Sequence, residues 1–401
     1  MEVVEADVCV VGGGPAGLTL ALLLARSGRR VVVAERMRSF DREYRGEILQ
    51  PSALATLDRL GVLAEVEGYP LRSFQLAERD RVLLDIDYSA LPGPHNHLFS
   101  VPQRHVLEAL HAACRREPGF RQLDGCSANG LLESDGRVTG IRCGIGENER
   151  EVRAPWTVAA DGRYSKTRQL AGIGYKRVDS FQHDIAWFKL HLPGQRTGTV
   201  RIHRHDGQIA LIHDSYPDRV QIGWLVPHGR YRELAAAGIG QVKSQLRKAL
   251  PQYAGEIAEQ VTSLGDLTLL DVFSGRATAW RRDGLVLIGD AAHTHSPIGA
   301  QGINLALADA VELHPALLDG DLARFERRRR KATEAVFSLQ GRQSKAMLSH
   351  GRVIDTLRPL VAKVLPKTPV YQKVLRTIAF GAEPPSVRTD LFQLEGRDVR
   401  G

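Results

Sequence analysis

The chain has 401 residues, room for two to three domains at about 150 residues each and for a large buried core. Its 43% hydrophobic and 25% charged residues are the composition of an ordinary globular protein, which excludes a disordered, collagen-like or coiled-coil chain. The net charge is +8, but the charges are scattered, and no zinc-finger spacing or RNA-binding aromatic motif points to nucleic acid.

Val8–Val11 reads as a short apolar strand, Pro15–Ser27 as a helix stopped by Gly28, and Val31–Glu35 as a second strand with an acidic end. Together they form a β-α-β unit, the element that builds a parallel sheet. Ser52–Leu60 and Arg104–Arg116 read as helices. Cys126–Asp161 alternates and turns at Asp135-Gly136 and Glu147-Asn148, which predicts a small β-meander ending in the apolar run Trp156–Ala160. Ile185–Leu192, Thr199–His205, Gln208–His213 and Arg219–Val226 are strand-like and separated by turn residues, an antiparallel pattern that Ser73–Tyr88 shares. Tyr231–Val261 is helical with interruptions. Gly284–Ile288 returns to a buried strand, and Gly302–Leu318 and Leu322–Phe337 read as helices. The fold class is therefore α/β, a Rossmann-like domain with a parallel sheet and a meander. Residues 1–72, 100–180 and 276–330 form this discontinuous domain. Residues 73–99 and 181–275 form an inserted antiparallel domain, and 331–401 a helical segment packed on the first. The basic run Arg327–Lys331 reads as a solvated helix face.

The four cysteines show no CxxC pair, so neither a disulfide scaffold nor a metal cluster is expected. The N-terminal apolar run has an acidic flank and is broken by Gly12-Gly13-Gly14-Pro15, unlike a signal peptide or a membrane span. A cytoplasmic protein without membrane attachment is expected.

Gly12-x-Gly14-x-x-Gly17 follows a strand and opens a helix. The first glycine permits a tight turn, the second lets backbone approach a pyrophosphate, and the third allows close helix–strand packing. Pro15 and Ala16 lie in the same turn, at a helix N-terminus suited to phosphate. Glu35 ends the next strand, where an acid accepts from ribose hydroxyls, and Arg36 follows it. The acid disfavours a 2′-phosphate here but leaves FAD and NAD open. In the later stretch Gly289–Leu305, Asp290 would accept from a polyol, and Gly299 and Gly302 would let a ring lie against backbone. The helix starting near Gly302 would support the negative charge of a reduced flavin.

GDAAHTHSPIGAQGINLALADA, from Gly289 on, resembles the second flavin motif of the FAD-dependent aromatic monooxygenases, the p-hydroxybenzoate hydroxylase family. Asp161-Gly162, with Arg163 and Arg168, resembles that family's DG motif. Arg45-Gly46-Glu47 resembles the segment whose arginine contacts the flavin, and Arg104, with Gln103 beside it, matches a position on the FAD chain. The resemblance spans about Val3 to Ala335. It implies FAD held by these residues together with Gly289, Gln301, Ile303 and Asn304, with Pro297 beside the ring. It also implies NADPH or NADH as reductant, O₂ as oxidant, and hydroxylation of a phenolic or polycyclic ring through a flavin C4a-hydroperoxide. The partners are then small molecules, and the protein a monomer or homodimer.

Substrate activation needs a group that polarises a phenol. His213 and Trp224 lie on strands matching the family's substrate-contacting strands, and His203 and Tyr216 are further candidates. Arg201, Arg204 and Arg219 would suit a carboxylate. Histidines 293 and 295 lack the carboxylate or cysteine pattern of a metal site. Alternatives are Baeyer–Villiger oxidation, epoxidation, N-hydroxylation, a reductase of the geranylgeranyl reductase type, or a flavin-binding protein without catalysis. A halogenase is disfavoured, because no lysine precedes Lys166 and Asp184–Leu192 reads DIAWFKLHL.

Overall fold

The computed structural model describes residues 2–40, 47–79, 81–144, 149–178, 183–348, 364, 368–381 and 383–393. Six strands form the central sheet in the order Arg281–Arg282, Leu285–Leu287, Trp156–Ala159, Val8–Val11, Val31–Glu35, Phe120–Asp124. All pair in parallel except the first, an antiparallel edge. The inner strands are buried along all or nearly all of their length, which is why they read as continuous apolar runs rather than alternating ones.

One face of this sheet carries the helices Pro15–Arg26, Gln103–Arg115 and Gly302–Asp319 in the largest core cluster. The other face is covered by a four-stranded layer of Glu2–Glu5, Arg150–Arg153, Arg137–Cys143 and Ala128–Ser134. Val4, Cys9, Val11, Val32, Ile141 and Val152 fill the space between. The four cysteines are free and buried.

A seven-stranded sheet stands over the carboxyl ends of the parallel strands. Its order is Thr268–Leu270, His183–His191, Arg219–Pro227, Gln208–Ser215, Thr199–His205, Ser73–Glu78, Arg81–Asp87. Neighbours are antiparallel except Thr199–His205 with Ser73–Glu78. In His183–His191 the side chains alternate. Ala186, Phe188 and Leu190 enter a cluster with the helices Arg230–Ala236, Ile239–Ala249 and Ala254–Gln260. Trp187 and Lys189 face the other way, so the sheet is covered on both faces.

The C-terminal helical segment is not confined to the first domain. Leu322–Leu348 packs on Gly302–Asp319, and Pro369–Phe380 meets Pro51–Arg59 of the same domain. Its Tyr371, Leu375 and Ala379 join Ile48, Leu98 and Val200 in a cluster between the small strands near residue 48 and the seven-stranded sheet. The basic run is not all solvated either. Arg329 is buried, and its Nε donates to Asp309 Oδ1 at 2.6 Å. Asp309 Oδ2 accepts from Gly289 N at 2.8 Å and His293 Nε2 at 2.6 Å. Burial pushes the Asp309 carboxyl up, but His293 and Arg329 reverse this and hold it well below the usual carboxylate range. Arg330 pairs with Glu326, and Arg328 with Glu312 and Glu383; Arg327 is exposed.

Removing one partner of a buried ion pair leaves the other charge without compensation. Arg329→Met is therefore expected to destabilise the fold by about 3–5 kcal/mol in denaturant unfolding. Arg327→Met, two residues away on the exposed side, should stay within about 0.5 kcal/mol. Equal effects of the two would show that the Asp309 pair contributes nothing.

Candidate active site

A cleft of about 360 Å³ lies between the carboxyl ends of the parallel strands and the inner face of the seven-stranded sheet, a size ordinary for a ligand site. Two helix N-termini open onto it. Gly14 precedes the helix Pro15–Arg26, makes no side-chain cap, and no acid occupies the first turn. Gln301 precedes Gly302–Asp319 with the same two features. The first backbone N–H groups of both helices thus have no side-chain cap. Each end carries partial positive charge suited to an anion or a polarised carbonyl.

The glycines divide by what surrounds them. Gly12 has φ +107°, and a Cβ there would meet the Ala160 carbonyl oxygen at 2.5 Å; at Gly17 it would meet the Gly12 oxygen at 2.0 Å. Those two glycines let backbones pack. At Gly14 and Gly302 a Cβ would meet nothing within 4 Å, so these positions leave room at the mouth of each helix. Glu35 Oε2 accepts from Gly13 N at 2.6 Å and Oε1 from Met37 N at 2.9 Å. This fixes the carboxylate at the end of its strand, on the cleft. The two uncapped helix ends, the open space at Gly14 and Gly302, and the acids Glu35 and Asp290 on the same cleft fit the pyrophosphate, polyol and ring of FAD.

Of the residues expected to hold a cofactor, Gly12, Gly14, Pro15, Ala16, Glu35, Arg36 and Gln103 line this cleft. So do Asp161, Gly162, Gly289, Asp290, Pro297, Gln301, Gly302 and Ile303. Four described ones do not. Gly17 packs against Gly12. Arg104 turns to the surface, 3.7 Å from Glu108, because it sits one helical position past Gln103. Gly299 has φ +73°, and its carbonyl accepts from Gln50 Nε2 at 2.9 Å and Gln301 Nε2 at 3.1 Å. Asn304 braces the same loop, accepting from Gln50 N at 3.0 Å and donating to Ala300 O. Arg45 lies outside the described residues. Asp161 spends its carboxylate on Ser165 and Thr167, which fixes the turn that presents Gly162. Arg168 is buried, donates to Ala291 O at 2.8 Å and lies over the Tyr175 ring. Among the described residues no group of His, Cys, Asp or Glu is placed to hold a metal ion; His293 and His295 are buried and 3.1 Å apart, bonded to each other.

On the sheet side the structure separates the candidates. His213 lines the cleft, while Trp224 does not. Trp224 is packed in the helix-covered face of the sheet, its Nε1 donating to Gln208 at 3.1 Å. It is an odd number of residues from Gln221, which faces the cleft, so alternation turns it away. Tyr216 stays at the surface, bonded to Glu67; His203 stacks on His205 away from the cleft. Arg201 is held by Gln75, and Arg204 and Arg219 lie outside the cleft wall. The wall around His213 comprises residues to which the sequence reading assigned no role of their own: Trp187, Leu211, Leu270, Val272 and Phe273 on the apolar side, Gln221 and Glu47 on the polar side. Trp187 lies over Gly223, where a Cβ would meet its ring at 2.7 Å. His213 Nδ1 lies 2.8 Å from the Asp214 carbonyl oxygen, which can only accept, so Nδ1 carries the proton. Nε2 is then a lone-pair acceptor, with no partner among the described residues. Burial pulls the imidazole below its ordinary value and keeps it neutral.

Residues 5–320 match the family model described as an FAD binding domain. The chain belongs to this family. It is 52% identical over 402 aligned positions to 6-methylpretetramide 4-monooxygenase of Streptomyces rimosus, covering 96% of this chain and 95% of that one. It is 27% identical to para-nitrophenol 4-monooxygenase of Pseudomonas sp. (strain WBC-3), over 79% of each. Its fold resembles the crystal structure of p-nitrophenol 4-monooxygenase from Pseudomonas putida DLL-E4, with TM-score 0.77 and 20% identity, over 95% of this chain and 99% of that one. The protein is an FAD-dependent monooxygenase that hydroxylates an aromatic compound. No helix among its described residues is long and apolar enough to cross a membrane.

In this monooxygenase the glycines predict two different defects. Position 14 has extended backbone and open space, so Gly14→Val should purify without yellow colour yet melt at the same temperature as the parent stripped of its flavin. Gly17→Ala drives a Cβ into the Gly12 carbonyl and should lower the melting temperature. A Gly14→Val protein with a full flavin complement would show that the cofactor does not use that opening.

Proposed function

We propose that this chain hydroxylates 6-methylpretetramide or a closely related polycyclic phenol of the aromatic polyketide class, at the carbon numbered 4 in that compound. The balance is one ring C–H, O₂, NAD(P)H and a proton in, and one ring C–OH, water and NAD(P)⁺ out. FAD, when bound, would supply the two-electron redox chemistry between NADPH or NADH and O₂.

The chain's residues do the rest. The Gly12–Gly17 turn and the first turn of its helix receive the pyrophosphate, with Glu35 on a ribose hydroxyl and Arg36 and Gln103 flanking. Asp290 accepts from the polyol. The N-terminus at Gly302 supports negative charge at the ring edge, beside Pro297. Trp187, Leu211, Val272 and Phe273 exclude water and offer flat apolar surface to a fused-ring substrate. His213 accepts the phenol proton at Nε2, which pushes electron density into the ring being oxidised. What supports this reading above all is His213, a neutral acceptor in an apolar wall of the cleft that the flavin-motif loops also line.

Incubation with NADPH, air and 6-methylpretetramide should give a product heavier by one oxygen, and that oxygen should come from ¹⁸O₂. NADPH consumption with all the substrate recovered unchanged would exclude this compound. His213→Ala should lower turnover by about 10²-fold with flavin content unchanged; full turnover would remove His213 from the mechanism.

A further inference from the structure

Three strands of the roof bring Lys189, Gln221 and His213 into one row, because Lys189 pairs with Gln221 and Gln221 with His213 in the antiparallel register. Side chains in such a row leave the same face of the sheet. Glu47, which precedes Ile48–Leu49 in the FAD-binding half, meets that row. Its Oε1 accepts from Lys189 Nζ at 2.8 Å and its Oε2 from Ser215 Oγ at 3.1 Å. The Gln221 amide, with its nitrogen toward Glu47, donates to both carboxylate oxygens. The Glu47 side chain is 3% exposed and that of Lys189 11%.

Charges this far from water are not an efficient source of stability, since the desolvation cost offsets much of the attraction and an apolar pair often serves as well. Position accounts for them better. Glu47, Gln221 and His213 all line the cleft, and Lys189 is held at the end of the row. We propose that Glu47 and Lys189 are positioning residues for the hydroxylation, a matched pair that fixes Gln221 and His213 on the cleft wall and presents the Nε2 lone pair to the substrate. This rests on the role given to His213 above.

The charged groups acting on His213 are Glu47, Lys189 and Asp214, and burial is the largest influence. Burial and Lys189 favour the neutral ring. Glu47 and Asp214 favour the imidazolium, which has no lone pair to offer. Ser100, packed against His213 from a neighbouring strand, is neutral. The pair therefore lets a carboxylate organise the wall without protonating the histidine beside it.

The test is the titration of His213 in the FAD-loaded full-length protein labelled with ¹³C-histidine, its resonance assigned by the loss of signal in His213→Ala. Lys189→Met should raise the midpoint, Glu47→Gln should lower it, and the double variant should return near the parent. The acid limb of turnover against pH should move in the same directions. If Lys189→Met fails to fold, Glu47→Gln against the double variant still carries the comparison, since the double variant holds no unpaired charge. Midpoints that stay put, or that shift the same way in both single variants while flavin remains bound, would overturn the proposal. Because the titration needs no substrate, it can be read even if the assigned substrate is wrong. A normal set of shifts with no phenol hydroxylated would instead count against the function.

Discussion

Two helices point uncapped N-termini into one cleft, and much of the rest follows from holding them there. Pro15–Arg26 and Gly302–Asp319 run close together on the same face of the parallel sheet. Such an approach requires small residues at the contact, and Ala16, Gly289 and Ala306 supply them, a Cβ on Gly289 meeting both alanines. Neither helix solves its end locally with a serine, threonine or aspartate cap. The uncapped N–H groups and the partial charge are left for whatever occupies the cleft. The parallel topology places those ends at the carboxyl edge of the sheet, where ligands of α/β folds are received.

Asp309 shows how such an arrangement is held. It sits inside the second of these helices, yet it receives Gly289 N, His293 and Arg329. One carboxylate thus joins the helix, the turn that presents Asp290, and the long basic helix behind. Trp280 stacks on His293 and closes the network. Gln50, Gln301 and Asn304 do the same for the loop around Gly299. The glycine loops that face the cleft are therefore fixed by polar side chains behind them.

The parts legible in the sequence were those whose cause is local. The β-α-β unit, the glycine spacing, the acid at residue 35 and the alternating strands all follow from period and turn chemistry. Facing was harder. In Arg219–Pro227 both faces are covered, one by helices and one by the cleft, so burial alone does not say which carries the substrate. Trp224 was chosen where Gln221, three residues earlier, faces inward. Arg329 looked like one more cation in a solvated run because its partner lies 20 residues away on another helix. Glu47 and Lys189 are 142 positions apart, and no window of sequence connects them. Arg104 was preferred over Gln103 on resemblance, and one residue of helix rotation reverses that choice.

The two ends of the cleft complement each other electrically. Where the flavin motifs lie, helix ends add positive potential of fixed direction, so negative charge developing on a ring can be stabilised by dipoles that need not reorganise. At the sheet end the charges present are already matched, Lys189 against Glu47, and the group left free is a neutral lone pair. In a wall of tryptophan, leucine, valine and phenylalanine a hydrogen bond to that lone pair is stronger than in water. It can polarise a phenol without a second buried charge. An unmatched carboxylate in the same place would favour the imidazolium, which has no lone pair to offer, or recruit water, and either would weaken the neutral, dry wall the chemistry needs. The cost of burying the Glu47–Lys189 pair is thus consistent with a site that must be polar enough to orient a phenol and dry enough to protect its oxidation.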